Sequence, residues 1–396
     1  MAYVNFKEEN YKLKIQLDKR KKNNDKNYNY IVKHKNEMAD YNADNRYSYE
    51  KLNGDFIGKK GILDEQDFYN IENKDILCTN FNDCTFANVK FINCKIIGCK
   101  FNNCKFIYGG VIFENCIFIM ENSLQSPTLN NETNYSCEFY NCELYGEFKN
   151  CDLSYAIFEN CLIRNTFFEI TMMKSTILNT CEINKIKISD CDLSGFKTHK
   201  CYIVDLEFDD KYKTKLDEKT FFDKLVEIKK DRGEIEGIYM TYETIDDKFK
   251  ENSLYNNFGE YYYLCKKEEY KVLDPWPKFM SFLNNITCGY GERPMNSLLF
   301  GIVQIILFAI IYLFVGVDIN DKFVVYKLSN IMNYDFIKFM QDYNQTLALS
   351  SGIFLGVGGY SCEPVQLSLV ISNIEMIIGV IIIGVGTGTI VRKIIR

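Results

Sequence analysis

Histidine is almost missing from this chain. His34 and His199 are the only two among 396 residues, and they stand far apart, which leaves almost no material for a histidine-built metal centre or catalytic triad. Paired Cys-x-x-Cys knuckles are missing as well, although the chain has sixteen cysteines, so a zinc ribbon is excluded. Positive charge is in deficit: 47 Lys and Arg against 53 Asp and Glu give a net charge of −6, without the basic footprint of a general nucleic-acid binder. No apolar span is studded with arginine, which excludes a voltage sensor, and no glycine fingerprint for nucleotide phosphates occurs. Residues 1–10 are polar and hold no apolar core, so no signal peptide is expected and residues 1–270 are expected to stay cytoplasmic. What remains is 47% hydrophobic and 25% charged, with room for two or three domains. Its wealth of Asn, Lys, Ile and Tyr reads as base composition rather than mechanism.

From Ile71 a large apolar residue returns at every fifth position: Ile71, Ile76, Phe81, Phe86, Phe91, Ile96, Phe101 and Phe106. After a slip at Gly109-Gly110 come Phe113 and Phe118, and then a polar insertion, residues 121–136. The series resumes at Phe139 and Leu144 and runs in steps of five from Phe148 to Leu193; Thr198 breaks it, and Ile203 and Phe208 restore it. Two positions before these residues sits a small or apolar one, often cysteine, as at Cys84, Cys104, Cys142, Cys161, Cys181 and Cys201. A period of five fits neither helix nor flat strand. It fits a chain that turns a corner every five residues.

Cys151-Asp152-Leu153-Ser154-Tyr155 and Cys191-Asp192-Leu193-Ser194-Gly195 resemble the repeat unit of the pentapeptide-repeat family. The resemblance implies a right-handed quadrilateral β-helix over residues 66–210, four pentads to a coil. A narrow square interior must alternate bulky and small side chains, which makes the cysteines small buried hydrophobes. Roughly six coils at about 4.8 Å each give a rod near 30 Å long. Its ends need caps, and the charged segment 1–65, read as partly helical or disordered, is one candidate. Residues 211–273 change period: Phe221, Leu225 and Ile228, then Ile235, Ile238, Tyr242 and Ile245, then Tyr261 and Leu264 read as two or three amphipathic helices, a linker between rod and membrane half. The aromatic row at 258–263 reads as packing, since no basic patch accompanies it.

Residues 274–296 form an interfacial approach, with the one tryptophan, Trp276, followed by Phe279, Met280, Phe282 and Leu283. The turn Gly289-Tyr290-Gly291-Glu292-Arg293-Pro294 leads into an uncharged span, 297–317, long enough to cross a bilayer. A polar turret, 318–345, follows. Residues 346–355 are too short to span and fit a re-entrant pore helix, within a pore loop over 346–364. The second span, 365–391, holds one ionisable residue, Glu375, and is followed by Arg392, Lys393 and Arg396, which put both termini in the cytoplasm by the positive-inside rule.

Helix, turret, short helix, the loop Gly356-Val357-Gly358-Gly359-Tyr360-Ser361 and a second helix resemble the two-helix potassium-channel-like pore family. Four copies of such a loop replace an ion's hydration shell with carbonyl oxygens. The resemblance covers residues 294–396 and implies a selectivity filter at Gly356 to Ser361, although neither possible register restores the family string Thr-Val-Gly-Tyr-Gly. Glu375 lies about 24 Å up its helix from the inner end, near filter height; it either supports the filter, together with Glu363 at the mouth, or sits protonated at the outer interface. Gly379, Gly384 and Gly386 are candidates for a gating hinge or for close helix packing.

The expected protein is therefore a plasma-membrane cation channel, a homotetramer permeable to a monovalent cation such as potassium, whose cytoplasmic repeat domain senses a protein partner or ligand. No cofactor, metal or nucleic acid is expected, and no enzyme, since no nucleophile–base constellation is present. Two other readings stay open: a non-selective pore-forming effector, and a membrane-anchored mimic of duplex DNA that engages topoisomerases, as some pentapeptide-repeat proteins do. Mixed charge over residues 71–208 speaks against the latter.

Overall fold

The computed structural model describes residues 4–37, 41–61, 67–107, 110–120, 134–327, 335–357, 362–365 and 367–395. They fall into two compact units, Ala2–Val272 and Leu273–Arg396.

The first unit is a β-solenoid of about six turns. Short parallel strands stack in register with matching partners twenty residues on, as Asn80 with Lys100 and Ile183 with Ile203. Four columns of such pairings make four faces. The solenoid begins earlier than residue 66: Ala43 pairs with Asp75, Lys51 with Asn80 and Phe56 with Thr85. It also ends later than residue 210, with Lys215 on Asp192 and Phe221 on Lys197. Phe221 therefore belongs to the coil, and helix starts only at Arg232, capped by Asp231, whose carboxylate accepts from Glu234 N at 2.8 Å.

All the fifth-position residues from Ile71 to Ile203 that fall in described strands or bridges point inward, and phenylalanine stacks on phenylalanine from coil to coil. Phe81, Phe101, Phe139 and Phe158 follow one another at 4.9, 4.6 and 4.6 Å between ring centroids, within 7° of parallel. A second column, Phe91, Phe113, Phe148 and Phe168, stacks at 5.0, 4.9 and 5.0 Å. The cysteines fill the narrow positions beside them. Cys104 Sγ donates to Phe81 O at 3.3 Å and Cys181 Sγ to Phe158 O at 3.4 Å, bonding a carbonyl of the preceding coil. All sixteen cysteines are free and buried, and burial pushes the Cys78 and Cys191 thiols up to about 12, where they stay protonated and unreactive.

The columns change where Leu178 stacks on Phe158 and Ile188 on Phe168. A void of about 30 Å³ opens there, lined by Phe158, Met173, Leu178, Ile183 and Phe196 among others. Leu178→Phe is expected to continue the ring column into that void and raise stability by about 1 kcal/mol, measured as a higher thermal midpoint of the β signal in circular dichroism.

Corners explain the asparagines, which base composition alone does not. Asn73, Asn93, Asn115 and Asn150 occupy one corner with φ of 53°, 54°, 54° and 50°, the left-handed region that asparagine tolerates better than other side chains. Their amides form a ladder up the rod, each Nδ2 donating to the Oδ1 of the coil before at 3.3, 3.1 and 2.8 Å.

The N-terminal segment is not an end cap. Residues Phe6–Lys33 form one long helix, α1, which lies along a flank of the solenoid. Asn10 Nδ2 donates to Asp223 at 2.8 Å on the last coil, and Leu13 and Leu17 pack on Ile157, Ile177 and Phe221. Arg20 donates to the carbonyl of Ser175 at 2.6 Å, and Asn24 donates to Glu138 at 2.7 Å. Ile31 closes on Leu77 and Ile97 near the first coils. At 1.5 Å per residue the helix is about 42 Å long, enough to run the height of the rod.

The C-terminal end is covered by a helical hairpin, α2 (Arg232–Glu251) and α3 (Tyr255–Val272). Tyr261 stacks on Phe249 at 4.9 Å, and its hydroxyl both donates to Phe222 O at 2.7 Å and accepts from Phe222 N at 2.8 Å. The aromatic row is packing. Lys248 reaches from α2 to Asp210 at 2.8 Å. Burial alone would raise the Asp210 carboxyl, but the Lys248 ammonium, the Thr214 hydroxyl and main-chain donors hold it down to about 2. A folded value below the usual one adds stability that is fully present above about pH 4 and is lost as pH falls toward 2. We expect about 1–2 kcal/mol from this site, seen as a fall in unfolding midpoint between pH 4 and pH 2 that is shallower in Asp210→Asn.

The second unit holds α4 (Pro275–Cys288), α5 (Pro294–Val315), α6 (Phe336–Leu355) and α7 (Leu367–Ile395). Two of these, α5 and α7, are long and apolar enough to cross a membrane. Both leave large apolar side chains exposed, including Leu298, Leu299, Ile302, Val370, Ile377 and Val380.

Candidate pore-loop site

The short helix expected at 346–355 is the C-terminal half of a longer one. Asp335 caps α6, its carboxylate accepting from Ile337 N at 3.0 Å. The N-terminal half, with Lys338 and Asp342, replaces part of the polar turret. Asp342 is tied down there by the Tyr326 hydroxyl at 2.6 Å. The rest of the turret includes a hairpin, Val317–Ile319 against Lys322–Val324, whose first strand also pairs with Cys362–Pro364. The strand after the loop is thus bound to the end of the first long helix.

The C-terminal half of α6 packs between α5 and α7. Phe354 touches the position of Gly301 on α5, where a Cβ would come within 3.1 Å of its ring, and Gly379 on α7, where a Cβ would lie 2.4 Å from its carbonyl oxygen. Gly356 ends the helix with φ of 70°, and Val357 N closes the last turn on Gly352 O at 2.8 Å. Of the residues expected to form a filter, Gly356 and Val357 stand at this helix end. Gly358, Gly359, Tyr360 and Ser361 lie outside the described residues.

Glu375 is fully buried where the three helices meet. Tyr312 on α5 donates to its Oε2 at 2.6 Å, and Ser350 on α6 donates to its Oε1. The same Ser350 hydroxyl lies 2.9 Å from the Ile305 carbonyl of α5. One carboxyl group therefore joins α5, α6 and α7. A polar group withdrawn from water holds its place only if its bonds are satisfied, and both oxygens here are. Sequence reasoning singled out Glu375 but missed Tyr312 and Ser350. The signal available was a phenol on α5 and a hydroxyl on α6, each needing a partner once withdrawn from water.

The other selected residues separate. Glu363 stands opposite Asp318 in the small sheet and is exposed. Gly379 and Gly386 are packing glycines: a Cβ on Gly386 would come within 3.2 Å of Ser297. Gly384 has open space around it within the chain. Among the described residues no cluster of His, Cys, Asp and Glu could hold a metal ion.

Residues 81–120 match the family model for pentapeptide repeats in nine copies, the same stretch in which phenylalanine and cysteine alternate up the coil. The solenoid is a pentapeptide-repeat domain. Solved structures similar to the chain include full-length QnrB1, a plasmid-mediated fluoroquinolone resistance protein, at 15% identity over 43% of this chain and 93% of that one, with a TM-score of 0.17. Another is HetL, a pentapeptide-repeat protein involved in heterocyst differentiation regulation from the cyanobacterium Nostoc sp. strain PCC 7120, at 9% identity over 45% of this chain and 87% of that one, with a TM-score of 0.17. No curated protein matches the chain in sequence.

Proposed function

We propose that this protein is a cation-conducting membrane pore with a pentapeptide-repeat domain attached at its cytoplasmic side. The observation that carries the reading is the seating of α6: a helix whose last turn is wedged between two apolar helices and bound behind by Tyr312, Glu375 and Ser350. A helix C-terminus carries partial negative charge, so the end of α6 at Gly356 favours a cation beyond it. Backbone that leaves a helix at membrane depth is tolerated where protein or water surrounds it.

In this reading the conducting unit is a homotetramer, and its permeant species is a monovalent cation of the potassium kind. The exposed apolar faces of α5 and α7 meet lipid and neighbouring copies. Arg392 and Lys393 at the end of α7 keep that end, and with it the repeat domain, on the cytoplasmic side. The solenoid binds a protein partner or ligand, and the chain is no enzyme. Duplex-DNA mimicry is disfavoured because surface lysines neutralise the acids of the rod, as Lys149 does Glu147 at 2.6 Å and Lys174 does Asp192 at 3.4 Å.

The test is ion flux through the purified chain in liposomes, potassium against sodium, with barium as blocker. Potassium-selective, barium-sensitive flux is the expected result; equal potassium and sodium flux turns the reading to a general cation pore or permeabilising effector, and no flux overturns it.

A further inference from the structure

The turn between α4 and α5 ends in a buried carboxylate that the pore reading does not use. Gly289, Tyr290 and Gly291 have φ of 53°, 56° and 81°, three successive left-handed residues that reverse the chain. The elbow they form is cross-braced. Asn296 on α5 donates to Asn285 O on α4 at 3.1 Å, Ser297 donates to Thr287 O at 2.7 Å, and the hydroxyls of Ser281 and Tyr290 meet at 2.9 Å. Braced in this way, α4 and the start of α5 are one rigid corner.

From that corner Glu292 points inward, 1% exposed, to the last turns of α7. Its Oε1 lies 3.0 Å from Arg392 Nη2 and its Oε2 lies 3.8 Å from Lys393 Nζ. Arginine gets this close because residue 291 is glycine: a Cβ there would lie 2.9 Å from the guanidinium. The two cations also suit the negative end of the α7 dipole. Breaking a buried pair strands a charge away from water, which is far more unfavourable than losing an exposed one. The inner end of α7 therefore cannot leave the elbow without a large penalty; elbow and helix end move together.

The chain order gives this pair a use. Only Leu273 and Asp274 stand between α3, the last helix of the repeat-domain unit, and α4. We propose that Glu292 is a latch that fastens the inner end of α7 to the α4–α5 elbow, so that displacement of α4 is passed to the inner mouth of the pore. This rests on the pore reading. Glu292 is here a positioning residue. It acts through Arg392 and Lys393 and does not touch the permeant ion.

The experiment uses the full-length chain in liposomes and reads steady potassium flux per protein. Glu292→Gln and Arg392→Glu are each expected to change flux by tenfold or more, and the exchange Glu292→Arg with Arg392→Glu to bring it back within about threefold, because the pair is restored with its charges reversed. A second pair, Glu292→Cys with Arg392→Cys, guards against misfolding of the charge variants. Oxidation, which joins the elbow to the helix end covalently, should bring flux within about threefold of the wild type, and reductant, which breaks that link, should change it by tenfold or more, as in the charge variants. A conducting wild type with single variants unchanged, an exchange without recovery, or a cysteine pair indifferent to oxidation overturns the latch and leaves the pore reading standing. A wild type that passes no ion overturns both.

Discussion

Gly379→Ala is expected to abolish ion flux through the proposed pore and to loosen the second unit while leaving the solenoid folded. The added methyl would sit 2.4 Å from the Phe354 carbonyl oxygen and 3.1 Å from its Cα, and these are backbone atoms that no rotamer change can move. Helix α7 must then back away from the last turn of α6. That separation stretches the bonds that tie Glu375, four residues before Gly379 on α7, to Tyr312 on α5 and Ser350 on α6. Overpacking of this kind costs roughly 1–3 kcal/mol in well-packed cores, and the damage falls on the helix that ends at Gly356. Gly384→Ala is the control, because nothing lies within 4 Å of its added methyl inside the chain and alanine favours the helix by about 1 kcal/mol. Liposome flux and the thermal midpoint of the helical signal measure both. Equal behaviour of the two variants would show that the α6–α7 contact does not control the loop.

Phe139→Ala is the corresponding lesion in the solenoid, with an expected loss of about 3–5 kcal/mol. Phe139 is 1% exposed and stands between Phe101 and Phe158, 4.6 Å from each. Removing its ring opens a void in the middle of a column, and the neighbouring coils cannot collapse into it, since each is fixed by main-chain bonds above and below. Cys161→Ala, one coil further on, removes only a sulfur and should cost about 1 kcal/mol. Denaturation followed by the β signal separates them, and the release of buried thiols to a thiol reagent should track the same transitions.

The solenoid was legible because its interior is so narrow that nearly every fifth side chain must be large and apolar, and the sequence records that constraint directly. Its first coil carries the same signal, Leu52 and Ile57 five apart, but in too few pentads to stand out from the charged segment around it. Helix α1 was legible only as a charged segment, partly helical or disordered, and its docking along the rod was not, for a different reason. Few of its residues are apolar, and much of its hold comes from Arg20 and Asn24 reaching partners on distant coils, which no period reveals. The asparagines were visible and misread, since a left-handed corner is a backbone property that sequence shows only once the corner is known.

Near the end of α6 the lone carboxylate was legible because an acid in a long apolar run demands an explanation. Its partners were not: a tyrosine and a serine on helices from other parts of the chain become a site only when those helices pack. The full length of α6 was hidden by Lys338 and Asp342, which made a helical segment look like turret.

The strap of α1 along the rod also sets an order of events during synthesis. Leu13 and Leu17 leave the ribosome early, yet the Phe221 on which they pack is made about two hundred residues later, a wait of roughly 10–40 s at about 5–20 residues per second. Until then the helix has nowhere to finish docking. A chain stopped short of its last coil leaves the first turns of this highly charged helix undocked, and only a completed rod can take them up.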